Sequence, residues 1–140
     1  MKPRARIMFD PRHQDFLTPE LPDIPELAIF DEQPLLVLRE MVPFDSFMGL
    51  IENWFGSLAN RIERLVGSAA TADLTKLTET AHDMAGTCGC FGALRLGELA
   101  WQLEQVCRAG DLPQARTLVR SMVPVTAATR AALRRRYFSH

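Results

Sequence analysis

A chain of 140 residues, 47% apolar and 24% charged, has the size and composition of one globular domain with a substantial core. Its net charge of −1 argues against a nucleic-acid binder, which would carry a basic excess. No apolar run reaches the roughly eighteen residues of a membrane-spanning helix, and only Ile7-Met8-Phe9 separates the basic start from Asp10, too short for a secretory signal. A cytoplasmic location is expected, with no membrane association. The three cysteines, an odd number, fit reduced thiols better than a disulfide framework.

Residues 1–32 form a proline-rich tail or strap. Six of the nine prolines fall between Met1 and Pro34, and each fixes φ and withholds an N–H donor. Phe16, Leu21, Ile24, Leu27, Ile29 and Phe30 are the apolar residues that could rest against a folded body. Residues 33–140 read as that body. Leu35, Leu38 and Met41 predict a short helix ended by Pro43. Phe47, Ile51, Trp54, Leu58, Ile62 and Leu65 recur at steps of three and four, predicting a helix over 46–66 capped by Asp45 or Ser46. Gly67-Ser68-Ala69-Ala70-Thr71 should end it, and Asp73 should cap the next helix.

That next helix, 74–88, packs through Leu77, Ala81, Met84 and Cys88, and a tight turn is expected over Gly89–Gly92. Leu96, Leu99, Ala100, Leu103, Val106 and Cys107 mark a further helix ended by Gly110, and so short a connection implies an antiparallel neighbour. Asp111 and Pro113 start the last helix, with Ala115, Leu118, Val119 and Met122 inward and a kink or break expected at Pro124. Beyond the proline-rich start there is no internal repeat or low-complexity segment. The arginines 134–136 suit a helix C-terminus.

The stretch Ala81–Gly92 does not follow this economy. Glycine in a helix interior costs about 1 kcal/mol relative to alanine, yet Gly86 and Gly89 lie one and two turns past His82. At 100° per residue, His82 falls about 120° from the centre of the apolar stripe, with Thr78, Gly86 and Gly89 beside it. The glycines would bare the surface through which another protein reaches the imidazole. On the following helix Gly97, Trp101, Glu104 and Arg108 fall on the matching flank, so the two flanks form one surface. Trp101 is read either as a half-buried aromatic or as a partner anchor.

His82, Gly86, Gly89 and Gly92, with Ala93, Arg95-Leu96 and Glu98-Leu99-Ala100, resemble the signature of histidine-containing phosphotransfer (HPt) domains. The resemblance covers about 31–136 and is specific between Ala81 and Asp111. It implies an all-α fold: an antiparallel up-down four-helix bundle, here with a short extra N-terminal helix and the proline-rich tail. It also implies that His82 accepts a phosphoryl group from an aspartate of one receiver domain and passes it to another, relaying between a hybrid sensor kinase and a response regulator. The chain would then be a monomeric phosphocarrier with no cofactor of its own, Mg²⁺ being held by the receiver. Independently, an imidazole is a competent neutral nucleophile at cytoplasmic pH. Where the family usually has lysine three residues after the histidine, this chain has Ala85. Glu104 matches the family's glutamine facing the imidazole, and Arg108 is the nearest replacement cation.

Two alternatives remain at this level. Cys88, Cys90, Cys107 and His82 add up to a Cys₃His set for metal or redox sensing, but the spacing is poor: His82 and Cys88 leave one helix about 120° apart. An HPt-like scaffold that binds receivers or kinases without being phosphorylated is the other, and Ala85 is the feature that favours it.

Overall fold

The computed structural model describes residues 29–138; the strap reading for residues 1–28 lies outside them. Five helices follow in order: α1 Gln33–Met41, α2 Phe44–Ala70, α3 Leu74–Phe91, α4 Leu94–Arg108 and α5 Leu112–Tyr137. α2 to α5 form an antiparallel bundle in which α2 packs on α3 and α5, and α4 on α3 and α5; α1 lies against α2 and α3. Leu35, Phe47, Ile51, Leu58, Leu77, Met84, Leu103, Met122 and Leu133 are fully enclosed between them. No helix among the described residues is long and apolar enough to cross a membrane.

Several boundaries follow their local signals. Asp73 accepts from the Lys76 N–H at 3.0 Å and Asp111 from the Gln114 N–H at 3.1 Å, each offsetting one orphan donor of a first turn. Pro34 and Pro113 occupy first-turn positions where no N–H is needed. Gly110, with φ of 79°, terminates α4.

Other boundaries depart from them, and tertiary packing is the reason. α2 starts at Phe44 behind an extended Pro43, so Asp45 and Ser46 lie inside the first turn, where the Asp45 charge complements the helix dipole. α2 also continues through Gly67 to Ala70. Ser68 and Ala69 are buried, and Arg116 Nε donates to the Ala69 carbonyl at 2.9 Å, holding the last turn from α5. The reversal falls instead at Ala72, a non-glycine residue with φ of 59°.

α3 likewise passes Gly89. Its last turn is fixed by buried Cys88 and by Phe91, whose ring stacks on Trp54 at 4.7 Å. Only Gly92 takes a left-handed φ, of 72°; the N–H groups of Ala93 and Gly92 then return to the carbonyls of Cys88 and Gly89. A side chain at Gly92 would also run into the Asp31 carbonyl. The break expected at Pro124 is absent: α5 is continuous. Met122, Val125, Thr126, Thr129 and Leu133 bury the inner face on both sides of the proline, while Arg120, whose carbonyl loses its partner, is exposed to water.

Candidate functional site

α3 and α4 are joined through Gly92 and Ala93 alone, which sets them side by side and fixes their register. Gly97 sits so close to α3 that a Cβ there would lie 3.2 Å from the Cβ of Cys88. It therefore lines the helix seam while remaining half-exposed, a supporting place on the flank. Its missing side chain lets the two helices approach; sequence projection found its flank but could not give that depth.

Seven residues from Gly97, two turns along α4, Glu104 lies opposite His82. Glu104 Oε2 is 3.1 Å from His82 Nδ1, 2.7 Å from Arg108 Nη2 and 3.2 Å from Arg108 Nε. A carboxylate only accepts, so Nδ1 carries a proton, and in the neutral ring Nε2 is then the nitrogen that keeps a lone pair. The burial is uneven: the Glu104 side chain is 9% exposed, that of His82 70% and that of Arg108 58%. A buried anion thus holds one edge of an imidazole whose other edge faces solvent. The Arg108 hydrogen bonds hold the Glu104 carboxyl below the usual carboxylate range. Desolvation opposes them, and the hydrogen bond and charge of His82 reinforce them.

The approach to His82 is open. A Cβ at Gly86 or Gly89 would meet nothing within 4 Å, so nothing inside the bundle requires glycine there. Trp101, one turn from Glu104 on α4, is 52% exposed. Thr78 is only half-buried, and its hydroxyl donates to the Leu74 carbonyl at 2.7 Å, turned back on its own helix. Ala85 packs at the margin of the core. Of the flank residues, His82, Glu104 and Arg108 are brought together by direct bonds, Gly86, Gly89 and Trp101 remain on the accessible face, and Gly97 and Thr78 are half-buried, the one against α3 and the other bonded to its own helix.

The cysteines do not assemble. Cys88 and Cys107 are buried and Cys90 is exposed. Burial pushes the Cys88 thiol up to about 12 and raises that of Cys107, the behaviour of small core residues. Among the described residues no three His, Cys, Asp or Glu side chains converge as a metal site.

A family model for the Hpt domain matches residues 49–136. The chain belongs to the Hpt domain family. The crystal structure of histidine-containing phosphotransfer protein B from Pseudomonas aeruginosa is similar to this Hpt domain, with a TM-score of 0.72 and 26% identity, over 79% of this chain and 97% of that one. The sensor histidine kinase AruS of Pseudomonas aeruginosa is 31% identical over 85 residues, 59% of this chain; the match spans only 8% of the kinase's length. Hpt domains interact with receiver domains of kinases and response regulators.

Proposed function

We propose that this Hpt domain is a phosphocarrier that relays a phosphoryl group between receiver aspartates through Nε2 of His82. The observation that carries the reading is the pairing of Nδ1–H with a buried carboxylate on an imidazole otherwise open to solvent. Neutral His82 presents the Nε2 lone pair to the phosphorus of a receiver aspartyl phosphate. The Nε2–P bond forms as the P–O bond to the aspartate breaks, and the carboxylate leaves with the bonding pair. The phosphorylated ring keeps Nδ1–H and gains positive charge, which Glu104 opposes at hydrogen-bond distance. Transfer onward reverses these bonds with the next receiver's aspartate as nucleophile.

Positioning carries most of such a reaction, and Glu104 fixes the ring's tautomer and its rotation. Arg108 offsets the carboxylate charge that would otherwise repel a phosphoryl group. Two of its five N–H groups are spent on Glu104; the rest can meet phosphoryl oxygens, the part a lysine at position 85 would play. Gly86, Gly89 and Trp101 form the receiver-docking face, and Mg²⁺ comes with the receiver. A hybrid sensor kinase and a response regulator are the partners this reading requires, and the chain acts as a monomer.

The test is incubation with a phosphorylated receiver domain, comparing wild type with His82→Gln. Acid-labile label on the wild type alone is expected. Label on both proteins, or on neither, contradicts the assignment, and stable receiver binding without label would favour a scaffold.

A further inference from the structure

Three pairs fix the register of α3 against α4. The His82 ring faces Glu104, Cys107 lies beside the Thr78 hydroxyl, and a Cβ at Gly97 would lie 3.2 Å from that of Cys88. The helices are antiparallel, so counting from these pairs runs in opposite directions along the two. Trp101 then stands level with Ala85, midway between His82 and Gly89, and Arg108 stands level with Thr78. At 1.5 Å per residue, Ala85 is about 4.5 Å from His82 along the axis of α3 in one direction and Thr78 about 6 Å in the other. His82 therefore has two unlike neighbours along one groove.

At the Arg108 end, guanidinium N–H groups beyond those bound to Glu104 remain for an anion. The Trp101 end holds no charged side chain. Half-buried Ala85 forms its floor, and the indole of Trp101, 52% exposed, forms its α4 wall. On the α3 side, a Cβ at Gly86 or Gly89 would meet nothing within 4 Å, so these glycines leave a notch that a side chain from outside can enter. Carboxylates are kept out of it. Glu79 and Asp83, exposed on α3, project away from α4 at 100° per residue. Glu104 is 9% exposed and already bonded to His82 and Arg108. A cation in the notch would give up water and gain no carboxylate. An apolar side chain would gain contact with the face of an indole.

We propose that this notch receives an apolar side chain presented by the receiver domain beside its phosphoryl aspartate, so that Ala85 and Trp101 select the receiver and set its orientation. The inference rests on the phosphocarrier reading: whatever brings phosphorus to Nε2 of His82 also covers residues less than one helical turn away. The receiver lies with its phosphoryl group towards Arg108 and its apolar contact towards Gly89, and a receiver with a charged residue at that contact is rejected.

The test titrates the receiver domain that labels the wild type, in its unphosphorylated form, into the His82→Gln protein, where calorimetry reads binding without transfer. Trp101→Ala should weaken binding about 30-fold, the loss of a hot-spot aromatic. Trp101→Leu keeps an apolar wall and should cost less than about fivefold. Ala85→Lys drives an ammonium into the notch and should cost about tenfold or more. Thermal melts of the same variants should show an intact bundle. Trp101→Leu binding as weakly as Trp101→Ala would mean that the indole face takes a cation, and Ala85→Lys binding as tightly as its parent would mean that the notch takes an anion or nothing. Either result overturns the proposal, as does equal affinity of all the variants. A wild type that no receiver labels removes the phosphocarrier reading itself, and this inference with it.

Discussion

Replacing Glu104 with alanine separates the positioning of His82 from the stability of the bundle. One carboxylate oxygen takes the His82 Nδ1–H at 3.1 Å and two Arg108 N–H groups at 2.7 and 3.2 Å. The two partners are 70% and 58% exposed, so removing the carboxylate returns both to water and leaves no buried charge alone. The stability cost is therefore about 1–2 kcal/mol, between a screened surface pair and a charged hydrogen bond, and not the roughly 3–5 kcal/mol of a broken buried pair. The kinetic cost is larger. A charged hydrogen bond of about 1.5–3 kcal/mol realised in the transition state corresponds to a ~10–100-fold slower transfer. Glu104→Gln keeps an acceptor for Nδ1–H and should lose less than about tenfold. Single-turnover transfer from a phosphorylated receiver, followed by rapid quench beside a thermal melt, measures both costs. Transfer by Glu104→Ala at the wild-type rate, with the bundle intact, would refute the positioning argument. The pH dependence has a fixed sign. A carboxyl held lower in the folded than in the unfolded state stabilises the fold fully above its unfolded value. That contribution is lost as pH falls through the folded one. The stability gap between wild type and Glu104→Gln should be constant near neutrality and close below about pH 4.

Gly86→Ala and Gly89→Ala should each raise stability by about 0.5–1 kcal/mol in chemical denaturation, since a Cβ there meets nothing and helix propensity improves; a loss of that size would mean that the bundle itself needs these glycines. Gly86→Arg should fold normally yet slow phosphotransfer, and an unchanged rate would show that the bare face is not the receiver's approach. In native thiol titration Cys90 should react fast, Cys107 slowly and Cys88, its thiol pushed up to about 12, only after unfolding. Two or more fast thiols would contradict the burial.

The bundle and its caps were legible because the signals are local and unopposed: Asp73 and Asp111 before apolar periodic runs, Gly110 after one. Glycine was the misleading signal. Gly67 and Gly89 suggest helix ends worth about 1 kcal/mol each, but Arg116 and buried Ser68 and Ala69 hold one end, and the Trp54–Phe91 stack the other. Those partners come from helices far away in sequence. Pro124 misled in the same way, outweighed by buried residues before and after it. At the site, projection put His82, Glu104 and Arg108 on facing flanks, and the structure joins them by hydrogen bonds. Projection gives angles and not depths, so the burial of Glu104 and the seam position of Gly97 were out of its reach.

The site of phosphorylation on the ring tests the account most directly. If Glu104 holds Nδ1–H, long-range ¹H–¹⁵N and ³¹P spectra of the phosphorylated protein should place the phosphoryl group on Nε2 of His82, with Nδ1 still protonated. Phosphorylation at Nδ1, or on another side chain while His82 stays unmodified, would contradict it.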